Sequence, residues 1–199
     1  MTTCLAVLLM LSAPPQDVPR SADYLADVIM TASKMSAKRA ILLAQAVSVA
    51  GAAHDIDPVF LLALSYTESR WVQTATGDKG RSIGIYQLTL SAARSVAFGG
   101  HFEDKPSQAK VYRSRSKQRT LLRDVWVASR TAAAYLARLR RRHGARADVV
   151  YNCGPTRCGV GRRRLKHTRA TRAYWRNYRK LLLRLNSIEK MDCVPSGVL

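Results

Sequence analysis

Acidic residues, cysteines and long apolar runs are all scarce in this chain. Only 13 Asp and Glu stand against 33 Lys and Arg over 199 residues, a formal net charge of +20. No apolar run approaches the ~18–20 residues of a membrane span, which excludes a polytopic helical membrane protein. Gly and Pro, at 11 and 7, are too few for a collagen-like or linker protein. The four cysteines include no CxxC pair, and His54, His101, His143 and His167 show no ligand spacing. No metal and no cofactor are therefore expected. What remains is a 47% hydrophobic chain, enough for a packed core, and of a length that suits one domain or one domain plus a tail.

The charge is unevenly spread. Residues 1–104 carry 8 basic and 9 acidic side chains; residues 105–184 carry 24 basic and 2 acidic, Asp124 and Asp148, a net of +22. The second half should therefore seek a polyanion: nucleic acid, an anionic membrane or an acidic envelope polymer. Arg138, Arg140, Arg141 and Arg142 form one tight run, and Arg162, Arg163 and Arg164 a second.

Both ends are ambiguous. Leu5 to Leu11 is apolar and Ala13 could precede a cleavage point, yet no Lys or Arg occurs before Arg20 and Leu11 sits where a small residue is wanted. Residues 1–19 read either as a weak export signal or as an apolar arm. Residues 191–199 read as a tail. Cys153 and Cys158 bracket a Gly-Pro turn and would close a small disulfide loop in an oxidising compartment; in a reducing one they stay free.

Between the ends, at 20–190, the pattern predicts one helical domain. Apolar residues recur at helical intervals over 20–33 and 36–53. Asp57-Pro58 is a helix start, with Asp as N-cap and Pro in the first turn. The helix that follows, VFLLALSYTES, is apolar on all sides until its end and should be buried. Residues 72–82, rich in Gly, Thr and Ser, read as a loop or short hairpin. Thr89 could cap a short helix. Residues 99–118 read as a basic insertion, its 101–118 part a mobile excursion. The longest helix is expected over 119–143, a short one over ADVVYN, and a basic one over 168–188.

One carboxylate stands apart. Glu68 is the only Glu before position 103, and it lies four residues after Leu64 and seven after Leu61, on or beside the buried stripe. Desolvation disfavours the charged form of a carboxyl there, and a Glu protonated near neutral pH can act as a general acid. A helix-end Glu that reaches solvent or pairs with Arg70 is the plain alternative.

Four blocks surround and follow it: Glu68-Ser69 with Trp71; Gly84-Ile85-Tyr86-Gln87; Val150-Tyr151-Asn152-Cys153-Gly154-Pro155; and Thr171-Arg172-Ala173-Tyr174. In that order they resemble the signature blocks of the soluble lytic transglycosylase (SLT) catalytic domain, a lysozyme-like family that cuts peptidoglycan. The chain departs from the pattern in Val150, where Ala is usual, in Cys153 at the variable position, and in a stretch from Glu68 to Gln87 one residue longer than the commonest form.

The resemblance implies a mainly α, goose-type lysozyme/SLT fold with a small loop or hairpin next to the cleft. It implies a lytic transglycosylase that cuts the MurNAc-GlcNAc bond of peptidoglycan glycan strands, leaving a 1,6-anhydromuramoyl end. Glu68 would be its acid and then its base. Ser69, Gly84, Tyr86, Gln87, Tyr151, Asn152 and Tyr174 would line or support the substrate site. Tyr174 would close the cleft floor or simply pack in the core. A lysozyme-like hydrolase in which Asp78 positions a water would share this fold. The basic half would meet anionic envelope polymers, in a phage virion or a trans-envelope machine acting at the bacterial wall. The reading from another class is a non-catalytic basic protein of envelope or nucleic acid, with Trp71, Trp126, Trp175, Tyr174 and Tyr178 as stacking groups. No nucleic-acid motif supports it, and nucleic acid is not the expected partner.

Overall fold

The computed structural model describes residues 22–98, 114–153 and 169–192, with side chains omitted at a few helix-end positions. The N-terminal arm, the Cys153–Cys158 pairing, most of the 99–118 insertion and the second arginine run lie outside the described residues.

The order is α1 (Ala22–Ala32), α2 (Ala37–His54), α3 (Pro58–Ser69), β1 (Thr76–Gly77), β2 (Ser82–Ile83), β3 (Leu88–Thr89), α4 (Leu90–Arg94), α5 (Arg115–Leu121), α6 (Val125–His143), α7 (Ala147–Cys153) and α8 (Arg169–Asp192). The helices form the bulk of the domain, and α3 runs through its middle. Val59 to Ser65 are all buried, because no face of this segment offers a charged residue to water. α2 packs between α1 and α6, and α8 lies along α3.

Asp57 joins two of these elements. One carboxylate oxygen accepts the Val59 N–H at 2.8 Å, capping α3, and the other accepts the Tyr178 hydroxyl of α8 at 2.6 Å. Tyr174, Asn177, Tyr178 and Leu181 share one face of α8 by helical spacing. Asn177 Nδ2 reaches Thr67 Oγ1 at 2.8 Å, so polar contacts run the length of α3.

The segment expected as a loop or hairpin is a three-stranded antiparallel sheet in the order β1-β2-β3. Thr76 faces Ile83, and Ile83 in turn faces Leu88. Two-residue strands make no independent sheet. This one is held by Ile83, Ile85, Tyr86 and Leu88, which are buried in the common core.

Two expectations are corrected. The long helix over 119–143 is two helices. Asp124 Oδ1 accepts the Val127 N–H at 2.9 Å and caps α6, so the chain breaks between Leu121 and Val125. The excursion over 101–118 is not loop to its end, since α5 begins at Arg115 and Gln118 is buried. Gln118 Oε1 accepts two N–H bonds from Arg94, at 3.0 and 2.6 Å, tying α5 to α4. Among the described residues no helix is long and apolar enough to cross a membrane.

Candidate active site

The site begins where α3 stops. Arg70 takes the left-handed conformation, and its N–H closes on the Tyr66 carbonyl at 2.8 Å. Trp71 follows with φ of 60° and turns back under the helix, 2% exposed. Its indole N–H donates to the Leu62 carbonyl and to Ser65 Oγ, both at 3.1 Å. This reversal fixes the last turn of α3 and therefore Glu68. Arg70 does not pair with Glu68: its guanidinium donates to the Tyr66 hydroxyl at 2.8 Å and lies 4.9 Å from that ring.

Glu68 is partly buried, and its carboxyl is pushed up from 4.5 to about 7. Burial is the main cause, and the nearby charge of Asp78 adds to it; the Tyr174 hydrogen bond opposes both. Tyr174, fully buried on α8, donates its hydroxyl to Glu68 Oε1, and Asn152 Nδ2 donates to that hydroxyl at 3.2 Å. Three helices thus meet in one relay: Asn152 of α7, Tyr174 of α8 and Glu68 of α3. The Tyr174 hydroxyl is held firmly protonated by burial and by the Glu68 charge.

Around the relay, backbone is gripped by side chains. Ser69 Oγ reaches the Ile85 carbonyl at 2.9 Å, joining the end of α3 to the turn after β2. The Tyr151 hydroxyl donates to the Tyr86 carbonyl at 3.1 Å on that same turn. Gln87, with φ of 48°, donates an amide hydrogen from Nε2 to the Gly84 carbonyl at 2.9 Å. Its Oε1 lies where a side chain at Gly77 would have to go. Gly84 has φ of 73°, and a Cβ there would sit 2.1 Å from the Leu122 carbonyl oxygen, so only glycine fits.

An open cleft of about 370 Å³ adjoins this arrangement. Gln87, Tyr151 and Asn152 line it together with Asp78, whose Oδ2 accepts the Ser82 hydroxyl at 2.9 Å. Ser91 and Ser95 line it too, as do Arg138, Arg142 and His143 near the end of α6.

The expected site residues therefore separate by position. Glu68, Asn152 and Tyr174 are joined by hydrogen bonds. Gln87, Tyr151 and Asn152 face the cleft. Ser69 and Gly84 act on backbone. Tyr86 departs from expectation as a cleft residue: its ring is fully buried, its hydroxyl lies 3.4 Å from Ser129 Oγ and is pushed up to about 12 by burial, and its carbonyl is what meets Tyr151. Trp71 and Tyr174 are buried and so cannot stack on bases. Sequence reasoning treats Arg138 and Arg142 only as charge and His143 only as a non-ligand histidine. The i, i+4 spacing of the two arginines on the last turns of α6 is the signal that they share a face. Among the described residues no three His, Cys, Asp or Glu side chains gather as a metal-ligand set.

The model of the Transglycosylase SLT domain matches residues 45–173, well over half of the chain. The chain belongs to the transglycosylase SLT family. Comparison with curated proteins and with solved structures found no match. The family match runs from the middle of α2 and ends one residue before Tyr174, so it takes in Glu68, Gln87, Tyr151 and Asn152. At the family level this SLT domain is of the peptidoglycan-cleaving, lytic transglycosylase type, lysozyme-like in fold, with the cell wall as its place of action.

Proposed function

We propose that this SLT domain cleaves the β-1,4 bond between N-acetylmuramic acid and N-acetylglucosamine by intramolecular transglycosylation. The observation that carries the reading is Glu68: a carboxyl at the end of a buried helix, pushed up to about 7, linked to a cleft-lining Asn through Tyr174. Such a group holds a proton at neutral pH and can pass it on without a large energetic penalty.

In this mechanism Glu68 gives its proton to the glycosidic oxygen as the bond from that oxygen to C1 of the muramoyl residue breaks. The acetamido group of the same sugar stabilises the cationic centre at C1. The C6 hydroxyl then attacks C1 and its proton goes to Glu68, which is restored as the acid. No water is consumed, and the product ends in a 1,6-anhydro ring. Most glycosidases place a second carboxylate at the reacting carbon, with substrate-assisted families as exceptions. Gln87, Tyr151 and Asn152 would orient the sugars in the cleft, where a misplacement of about 1 Å costs ~10²-fold in rate.

Asp78 supports a second reading. It lines the cleft and its charge acts on Glu68, so it could position a water for hydrolysis of the same bond. Product mass separates the two, because the anhydro product is lighter by one water than the hydrolytic one. Digestion of purified sacculi is expected to give anhydro ends and no reducing muramoyl ends. Glu68→Gln is expected to lose ~10²–10⁴-fold in rate while remaining folded. Retention of more than about a tenth of the wild-type rate would remove Glu68 from the acid role on the same scale.

We propose the finer setting from charge taken together with the family. The basic second half suits docking to anionic envelope polymers, as a phage-borne enzyme or a component of a trans-envelope machine would need.

A further inference from the structure

Between Arg172 and Arg184, every exposed residue of α8 falls on one face, at steps of three and one that keep to a single helical stripe. Five of these residues are cations: Arg172, Arg176, Arg179, Lys180 and Arg184. The other two are Trp175 and Leu183, which are 42% and 69% exposed. The opposite face, with Tyr174 and Leu181, is buried against the domain. No Asp or Glu occurs between 172 and 184. Among the described residues, no hydrogen bond or ion pair engages Arg172, Arg176, Arg179 or Lys180.

The ordinary explanation is a solvated surface helix, on which a lone exposed apolar residue is normal. It does not account for charge of one sign. Arg172 and Arg176, Arg176 and Lys180, and Lys180 and Arg184 are all like-charge pairs at i, i+4, and each destabilises the helix that carries it. A polyanion would relieve that repulsion but would leave Leu183 in water. Trp175 is held in place while partly bare. Its indole N–H donates to Asp148 Oδ2 at 2.8 Å, and its ring lies 5.3 Å from that of Phe60 and 5.7 Å from that of Tyr178. A ring fixed in this way does not swing out to stack on a base. Trp and Leu among long cationic side chains are instead what a lipid head-group boundary takes up, with the Arg and Lys stems lying along apolar surface and their charges on phosphate.

We propose that the outer face of α8 docks on an anionic phospholipid bilayer, its cations on the head-group phosphates and Trp175 and Leu183 at the boundary with the acyl chains. The face is about 18 Å long at 1.5 Å per residue, so the helix lies along the membrane surface and does not enter it. The docking is independent of the cleavage chemistry. It gives the domain a second surface, which would hold it at a membrane while the cleft works on glycan.

The test is co-sedimentation of the full chain with vesicles of phosphatidylglycerol and phosphatidylethanolamine, beside vesicles of phosphatidylcholine alone. Wild-type protein should bind the first and not the second. A cation near an anionic surface contributes about fivefold in affinity, so Arg176→Gln with Lys180→Gln should weaken binding by about tenfold or more. Lys34→Gln with Lys38→Gln removes the same charge outside α8 and should change binding by about twofold or less. Leu183→Ser leaves the charge untouched and should still weaken vesicle binding by about fivefold. It should leave binding to duplex DNA and to lipid-free sacculi unchanged. All these positions are exposed, and a thermal melt and cleavage of a short soluble glycan, both expected to match wild type, show that each variant is folded.

Equal binding to the two kinds of vesicle overturns the proposal, as does equal loss in the two double variants. So does a Leu183→Ser protein that keeps full affinity for vesicles, which would leave the face as bare charge. If Arg176→Gln with Lys180→Gln loses duplex DNA or sacculi and keeps the vesicles, the face serves that polymer and membrane docking is refuted. Wild-type protein that docks as described and cleaves no glycan would leave this surface standing while the reading of Glu68 falls.

Discussion

Glu68 experiences opposing influences, and their balance sets both activity and stability with pH. Burial and Asp78 push its carboxyl up to about 7, while the Tyr174 hydroxyl pulls it down. Only the protonated form can donate to a leaving oxygen, so cleavage is expected to fall as pH rises through about 7. Tyr174→Phe removes the influence that favours the ionised form. The alkaline limb of its pH–rate profile should therefore move to higher pH, whatever happens to the maximum rate. An unmoved limb, with the protein still folded, would mean that Tyr174 does not tune Glu68. The same shift makes a stability statement. A raised folded-state pKa favours the folded protein fully below about 4.5, and that contribution is lost as pH rises through about 7. Gln mimics the protonated form at every pH. Glu68→Gln should therefore be the more stable protein at about pH 8, and the gain should vanish by about pH 4. The whole shift corresponds to about 3 kcal/mol, and solvent reaching a partly exposed carboxyl reduces the expected gain to about 1–2 kcal/mol. Denaturant titrations of both proteins at the two pH values measure it. At this scale the sequence shows that Glu68 sits at the end of an apolar helix. It does not show the bond to Tyr174, 106 positions away, because only the packing of α8 on α3 brings that hydroxyl to the carboxyl.

At the scale of elements, the turn between β2 and β3 beside the cleft is gripped by three side chains. Ser69 grips the Ile85 carbonyl, Tyr151 grips the Tyr86 carbonyl, and Gln87 grips the Gly84 carbonyl. Tyr151→Phe and Asn152→Ala should both lower activity, the first by freeing this turn and the second by releasing Tyr174, without unfolding the protein. Wild-type cleavage rates in both would mean that the site lies elsewhere. Gly84→Ala should act differently. A methyl at 2.1 Å from the Leu122 oxygen cannot be accommodated without moving the segment between α5 and α6, and φ of 73° adds backbone strain. A loss of about 3 kcal/mol or more in a urea titration is expected. The helices themselves are legible from periodicity and caps: Asp57-Pro58 opens α3 and Thr89 caps α4, its hydroxyl taking the Ala92 N–H at 3.2 Å. The division of 119–143 is not, because its apolar stripe runs on through Leu122 and Val125, and the cap at Asp124 competes with that stripe through a single side-chain hydrogen bond of 2.9 Å. The burial of Tyr86 is equally hidden, since motif position says which turn a residue occupies and not which way its ring faces; the depth of the core decides that.

The whole molecule is divided by charge, and the division follows the fold. The acidic-balanced part supplies α1 to α3 and the sheet, while α5, α6 and α8 carry most of the described cations. On α8, Arg172, Arg176, Arg179, Lys180 and Arg184 are all exposed, away from the buried Tyr174 and Leu181. Clustered like charges repel, and water alone leaves part of that repulsion in place, so an anionic partner would relieve it. If the charge serves the wall, the anions it would meet are peptide carboxylates, wall acids and lipid phosphates. Attraction of this kind is long-range and is screened over about 8 Å at physiological salt. Binding to purified sacculi should therefore fall steeply as salt is raised, whereas cleavage of a short soluble glycan at saturating concentration should change little. Duplex DNA offers the same charge and would show the same salt slope, so slope alone does not identify the client. Competition does. If the basic half serves the wall, excess duplex DNA should leave cleavage of sacculi largely intact, because the glycan enters the cleft and the wall presents many anionic sites around it. If DNA strips the protein from sacculi at low stoichiometry, the cations of α5, α6 and α8 belong to a different polymer and wall docking is refuted, with the fate of Glu68 in the cleavage assay unaffected by that result.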